Sequence, residues 1–320
     1  YIREAFKYRI ALSGTPNSNT ILDIWHPTLI VDDGERLGQQ FFSFRAQVCE
    51  PKQVGAATHM VQWLDKEDAE ARVAASLKDI TIRHRFEDCL TIPPNTKKII
   101  YTDLSKKQEK AYNELKRDAL LELDNGDYLE AIHAGVLVKK LLQVASGAVY
   151  DNEGTSHVID TARYELIMSL IKERTHSIVA FNWTHERDAL CELADKEGLT
   201  FAVIDGSVSI SERTEIVKHY QKGAYQVLFA HPQSAAHGLT LTKGVTTIWA
   251  SPTYNAEHFQ QFNRRIYRAG QTKKTETILI AARGTWEVAV YDKLDGKLNR
   301  MDSLLNLFKQ LTELEDGNNR

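Results

Sequence analysis

Gln261, Arg265 and Arg268 share one face if the stretch QFNRRIYRAGQ, residues 261–271, winds as a helix. At about 100° per residue, Phe259, Phe262 and Ile266 fall on the opposite face. The pattern predicts a helix with one side packed in a core and two guanidiniums on the other, ended by Gly270. A guanidinium presents a planar fork of N–H donors that suits phosphate oxygens. The chemistry on offer is therefore stabilisation of charge on a phosphate group. The same spacing also serves an ordinary solvated basic face, so the surroundings must decide.

Those surroundings begin with composition. The chain has 320 residues, 42% hydrophobic and 26% charged, enough for two domains with real cores and unlike a disordered chain. The net charge of -3 excludes bulk basic character, so any nucleic-acid contact must come from a local patch. Cys49, Cys89 and Cys191 lie far apart and are odd in number. They fit neither metal-ligand spacing nor a disulfide framework and read as reduced thiols of a cytoplasmic protein. No apolar run approaches the length of about 18 residues that reads as a membrane span, and no stretch of these residues reads as a signal peptide.

From about residue 160 the chain alternates. Apolar runs at 177–181, 201–204, 226–230, 246–250 and 276–280 read as strands, with helices between most of them, for example 185–197 and 210–222. Ser209-Ile-Ser-Glu212 is a capping box. Such alternation predicts an α/β fold with a parallel sheet flanked by helices, whose ligands collect beyond the carboxyl ends of the strands. Upstream, YRIAL at 8–12 reads as a buried strand ending in the turn Ser13-Gly14-Thr15-Pro16. Residues 20–31 read as an apolar segment or helix interrupted by Pro27, residues 32–60 as loop-rich, and residues 66–79 as a helix. A strand at 97–103 precedes two helices, the first opened by a Ser105–Gln108 capping box. The expected division is 1–95, then a helical insertion at 96–155, a main α/β domain at 156–313 and a frayed tail at 314–320.

The longest strand-end loop is HPQSAAHGLTLTKG, 231–244, with Ser234, Ala235, Ala236 and Gly238 to admit close backbone approach and Thr240 and Thr242 to bond phosphate. Alone it has no Walker or dinucleotide fingerprint. His231, His237 and His258 lack metal-site spacing, and no metal site is expected. Trp183 and His185 follow a strand end, where an aromatic can stack on a base or simply pack and a polar group can reach a phosphate. Asp205-Gly206 reads as a turn. No Ser-His-Asp arrangement suggests covalent hydrolysis.

In order along nearly the whole chain, these segments resemble the superfamily-2 helicases, and most of all the Swi/Snf-type ATPases, including short phage and bacterial versions. Ser13-Gly14-Thr15-Pro16 resembles the motif that closes the first motor domain. Arg83–Arg85 with Ile92-Pro93-Pro94 resembles the inter-domain passage, and Thr161-Ala-Arg163 the opening of the second motor domain. Asp205-Gly206 with Arg213 resembles the "DG…R" element, and Ser234–Leu241 the fifth helicase motif. Gln261, Arg265, Arg268, Gly270 and Gln271 match the sixth motif position by position, and Gly284-Thr285-Trp286-Glu287 resembles the "G-T-x-E" after it. Two positions depart from the pattern: Ala235-Ala236-His237 stand where the fifth motif usually carries two glycines, and Arg264 stands where an acidic residue is common.

The resemblance implies a RecA-like second motor domain of the P-loop NTPase fold, with a remnant of the first. It implies that Arg265 and Arg268 act as arginine fingers on ATP and that Gly238, Gln261 and Gln271 lie at the nucleotide. It further implies that Ser13, Gly14 and Thr15 couple hydrolysis to domain movement, and that Trp183, Ser234 and Thr240 touch the DNA backbone. The setting implied is the cytoplasm of a bacterial or phage-infected cell. No G-x-x-x-x-G-K-(S/T) and no D-E-x-H or D-E-x-D after an apolar strand occurs in the sequence. The expectation is therefore the C-terminal part of an ATP-dependent DNA helicase or translocase, inactive alone. Its ATP and Mg2+ would be held mainly by a missing first motor domain, joined in cis or in trans. The alternative is a non-catalytic nucleic-acid-binding or interaction protein on the same fold.

Overall fold

The computed structural model describes residues 5–14, 16–17, 20–53, 61–84, 86–123, 130–151, 153–235 and 238–298. The chain divides into two compact units, one holding the residues up to Cys89 with those from Asp295, the other running from Leu90 to Leu294. Among the described residues no helix is long and apolar enough to cross a membrane.

In the first unit, Thr20 caps a single 3-10 turn, Ile21–Ile24, that passes into helix α1 (Trp25–Asp32). Pro27 lies in the first turn of α1, where a missing N–H breaks no ladder bond, so the expected interruption does not occur. Residues 41–48 form helix α2 (Phe41–Val48) instead of loop, because Phe44 and Val48, one turn apart, both enter a core with Ile21 and Ile24. Strands β1 (Cys49–Gln53) and β2 (Val61–Asp65) pair antiparallel, helix α3 (Ala69–Leu77) closes the same core with Val73 and Leu77, and α4 (Phe86–Cys89) is a single turn. The strand expected at 8–12 is not formed. Ile10 and Leu12 stand 86% and 93% exposed. A buried strand needs a neighbour on each side, and none of the described residues pairs with this run.

The second unit opens on β3 (Asn95–Thr102). The capping box at Ser105 forms, with Ser105 N–H donating to Gln108 Oε1 at 3.0 Å and Gln108 N–H to Ser105 Oγ at 3.4 Å. It starts α5 (Lys106–Leu123), followed by α6 (Glu130–Ser146) and a hairpin of β4 (Ala148–Tyr150) and β5 (Ser156–Val158). Then come α7 (Ala162–Lys172), β6 (Ser177–Ala180), α8 (Thr184–Lys196), β7 (Phe201–Ile204), α9 (Ile210–Gln221) and β8 (Val227–Ala230). The series ends with α10 (Pro232–Ala235), β9 (Thr246–Trp249), α11 (Ala256–Asn263) and β10 (Thr275–Ala282). Six strands form one sheet in the order β3-β10-β9-β6-β8-β7, every pair parallel. β6, β8 and β9 are buried at every position, which is why they read as unbroken apolar runs. β3, expected in a flanking helical element, is the edge strand of this sheet, in register with β10 from Asn95 opposite Thr275 to Thr102 opposite Ala282. Ile167 and Ile171 of α7 and Leu190 of α8 pack on Val179, Phe229, Ile248 and Ile278 of the sheet.

Candidate functional site

The stretch around Gln261 builds the site. Asn255 caps α11, its side chain accepting from His258 N–H at 2.9 Å. Phe259, Phe262 and Ile266 are buried, as the periodicity predicts. The helix, however, stops at Asn263 and not at Gly270. The Arg265 carbonyl accepts from Leu241 N–H at 2.9 Å, and the Ile266 carbonyl accepts from the Gln271 side chain at 3.1 Å. These carbonyls face other partners, and the regular i→i+4 ladder does not continue past this point. Residues 264–271 run instead through tight turns, with Arg265 N–H on the Phe262 carbonyl and Gln271 N–H on the Arg268 carbonyl, both at 3.0 Å. Gly270, at φ +91°, supplies the left-handed step of the last turn.

Both arginines converge on one acceptor. Arg265 donates Nε–H to the Gln261 carbonyl at 2.7 Å and Nη1–H to the Leu239 carbonyl at 3.0 Å. Arg268 donates Nη1–H to the same Leu239 carbonyl at 2.8 Å. Among the described residues neither arginine pairs with a carboxylate. Partial burial, and then the charge of Arg268, lower Arg265 to about 10. Two guanidiniums held together without a counter-charge repel one another, and an anion with several oxygens relieves that repulsion while taking up the remaining N–H donors.

Leu239 belongs to the small-residue loop. Gly238 is exposed at φ +74°, a conformation side chains rarely adopt. Ser234 lies on α10, residues 236 and 237 lie outside the described residues, Thr240 is half-buried and Leu241 buried. Gln261 donates to Glu257 Oε1 at 2.8 Å and leaves its own buried Oε1 without a partner. Gln271 is different. It is buried, and its amide is committed to the Thr242, Gly244 and Ile266 carbonyls and to Lys273 N–H. Its N–H donors are thus turned to the backbone. Among the described residues no three His, Cys, Asp or Glu side chains gather as a metal site requires.

Residues 162–270 match the helicase conserved C-terminal domain, and residues 4–146 match the SNF2-related domain. The chain is a homologue of the Swi/Snf-type superfamily-2 helicases. It is 27% identical over 314 residues to protein p41 of the Acyrthosiphon pisum secondary endosymbiont phage 1, covering 94% of this chain and 65% of that one. It is 23% identical over 318 residues to an ATP-dependent helicase of Mycoplasma genitalium, covering 96% and 29%. The mouse chromodomain-helicase-DNA-binding protein 1-like is 23% identical over 304 residues, covering 91% and 32%. The chain thus spans less than two thirds of the length of each of these relatives. The crystal structure of the C-terminal part of the Fun30 ATPase domain matches at a TM-score of 0.53 and 14% identity, over 68% of this chain and 99% of that one. The Sulfolobus solfataricus SWI2/SNF2 ATPase C-terminal domain matches at 0.50 and 13%, over 63% and 86%. At such identities the likeness speaks for the fold alone, a RecA-like parallel sheet flanked by helices.

Some residues of the Swi/Snf-type motifs follow the carboxyl ends of strands. Trp183 follows β6, and Ser234 and Thr240 follow the adjacent β8. Lys139 Nζ lies 5.8 Å from the Trp183 ring centre, and the buried indole N–H has no partner. Ser13 and Gly14 belong to the first unit and are exposed, while Thr15 lies outside the described residues.

A buried polar cluster lies at the same strand ends, and of its members the sequence marks only His185. Glu186 Oε2 accepts from Asn182 N–H at 2.7 Å and Trp183 N–H at 3.2 Å. Burial pushes its carboxyl up to about 7. Beside it, His185 bonds Ser146 Oγ at 3.0 Å and Tyr150 Oη at 2.9 Å, and burial and then the Arg163 charge lower it to about 4. The available signal was the hairpin at 148–158, whose Tyr150 seals the start of α8.

Proposed function

We propose that this chain supplies the arginine-bearing half of an ATP site to a DNA-dependent helicase or translocase, the other half lying in a first motor domain. The observation that carries the reading is the shared Leu239 carbonyl, which holds two guanidiniums together with no carboxylate among the described residues to neutralise them. Arg265 and Arg268 act as fingers on the transferring phosphoryl group, a role worth about 10³–10⁵ in rate for arginine fingers generally. A preorganised guanidinium stabilises charge as it develops and needs no reorganisation to do so. Gly238 leaves room for close approach, and the unpartnered Gln261 Oε1 fits a ribose or water hydroxyl. Mg2+ would be held mainly by the acidic residues of the first motor domain, since among the described residues of this chain no three His, Cys, Asp or Glu side chains gather. Trp183, Ser234 and Thr240 form a backbone-tracking surface for DNA, and Ser13, Gly14 and Thr15 couple the two halves.

The test joins this chain, in cis or in trans, to a first motor domain with a Walker lysine and a D-E pair and measures DNA-stimulated ATP hydrolysis. Arg265→Ala and Arg268→Ala are each expected to lower turnover by about 10³ or more with DNA affinity retained. Unchanged turnover in both variants rejects the finger roles. If instead the variants only weaken DNA binding, and flatten its salt dependence by about one unit per lost contact, the chain is a phosphate-backbone binder.

A further inference from the structure

We propose that Gln271 is a positioning residue for the arginine pair, fixing the loop whose Leu239 carbonyl orients both guanidiniums. The proposal rests on the arginine-finger reading above. Gln271 is only 5% exposed. Its Nε2 lies 3.1 Å from the Thr242 carbonyl, 3.0 Å from the Gly244 carbonyl and 3.1 Å from the Ile266 carbonyl, and its Oε1 accepts from Lys273 N–H at 2.9 Å. An amide has two N–H donors and one oxygen, and here all of them serve the backbone.

The three carbonyls come from two segments. Thr242 and Gly244 end the loop that starts at Gly238, and Ile266 lies between the two arginines. Gln271 therefore sews the far end of the loop to the arginine turn. Leu241 N–H on the Arg265 carbonyl, at 2.9 Å, joins the same segments in the middle, and the two guanidiniums on the Leu239 carbonyl join them at the near end. Gln221 braces the loop from α9, donating to Thr242 Oγ1 at 3.1 Å and accepting from Lys243 N–H at 2.9 Å. At Gly244 the packing leaves no room for a side chain. A Cβ there would lie 2.7 Å from Tyr220 Oη and 2.8 Å from Ile266 Cγ2.

The Leu239 carbonyl must hold two like charges side by side, so it must itself be held. Without Gln271, three carbonyls lose a donor, and the loop is free to move away from the turn. Fingers displaced by about 1 Å lose on the order of 10² in rate, because their effect depends on placement.

In the joined ATPase, Gln271→Ala is expected to lower kcat by about 100-fold while KM for ATP and DNA affinity stay within about twofold. Gln271→Glu keeps the acceptor for Lys273 and loses the donors, and is expected to fail alike. In the 320-residue chain alone, the Arg265 Nε–Hε resonance is expected to broaden in Gln271→Ala, a change that loss of global stability would not produce in folded protein. A folded Gln271→Ala with unchanged kcat overturns the proposal, as does a raised KM with kcat intact, which would make Gln271 a nucleotide ligand. Should Gln271→Ala fail to fold, Gln221→Ala removes only the outer brace, and a several-fold drop in kcat at constant KM is expected, unchanged kcat overturning the clamp. If Arg265→Ala itself leaves turnover intact, the finger reading has failed, and the resonance of Arg265 still decides whether Gln271 holds the loop.

Discussion

Arg163 and Glu287 meet in a buried two-pronged ion pair, Nη1 on Oε1 and Nη2 on Oε2, both at 2.6 Å. Arg163 Nη1 also donates to the Ala250 carbonyl at 3.0 Å, and Glu287 Oε2 accepts from Ala282 N–H at 2.7 Å. The pair therefore fastens α7 to the carboxyl ends of β9 and β10.

A buried pair of this kind is costly to break and cheap to replace whole, because desolvation offsets much of the attraction. Arg163→Met alone, or Glu287→Leu alone, is expected to destabilise the chain by about 3–5 kcal/mol, leaving one buried charge uncompensated. The double variant Arg163→Met/Glu287→Leu is expected to recover most of that loss. Urea denaturation of the four proteins gives the coupling, and strictly additive losses would show that the two side chains act independently.

Glu186 and His185 are expected to cancel in the pH dependence of stability. The Glu186 carboxyl, about 7 in the fold against 4.5 ordinarily, adds stability that is complete below 4.5 and lost as pH rises through 7. His185, about 4 against 6.5, adds stability that is present above 6.5 and lost as pH falls through 4. In the shared window from 4.5 to 6.5 the two slopes, each about 1.4 kcal/mol per pH unit, have opposite sign. Relative to the parent, Glu186→Gln is expected to lose stability on acidification across that window, and His185→Gln to gain it. Denaturation midpoints at several pH values measure both, and parallel curves for parent and variants would remove these two groups from the account.

Gly147 is a third point of sensitivity. Its φ is +116°, and a Cβ there would lie 2.4 Å from the Asp160 carbonyl oxygen, a backbone atom that cannot swing away. Gly147→Ala is expected to cost more than about 1 kcal/mol from backbone strain alone, read as a lowered melting temperature. A neutral result would mean that the turn into β4 can relax.

What the sequence reveals here is what is decided nearby. The Ser105–Gln108 and Ser209–Glu212 boxes form because cap and partner are three residues apart. The strands are found because burial on both faces leaves an unbroken apolar run. The end of α11 is hidden because the Arg265 carbonyl is claimed by Leu241, 24 residues earlier, which no periodicity records. Helix α2 is hidden because its Phe cluster resembles loop until Ile21 and Ile24 arrive as a partner surface. The position of Gln271 in a motif points to a ligand, whereas its bonds to the Thr242, Gly244 and Ile266 carbonyls appear only in the fold. Arg163 and Glu287 stand out as motif fragments, yet their pairing joins positions 124 residues apart and appears only in three dimensions.

The two arginines are expected to differ in their tolerance of lysine. Arg265 spends Nε–H and Nη1–H on two separate carbonyls, of Gln261 and Leu239, before it faces any ligand. Arg268 spends Nη1–H on Leu239 alone. A lysine carries a single nitrogen on a flexible stem and cannot both grip two carbonyls and aim a charge. At position 265 it loses the geometry that preorganises the finger, whereas at position 268 one shared carbonyl is all it must satisfy. Arg265→Lys is expected to lower DNA-stimulated turnover in the joined enzyme by on the order of 10²–10³, approaching the alanine variant, and Arg268→Lys by at least tenfold less. Equal losses, or a more active Arg265→Lys, would show that the Gln261 and Leu239 carbonyls do not set the aim of the first arginine.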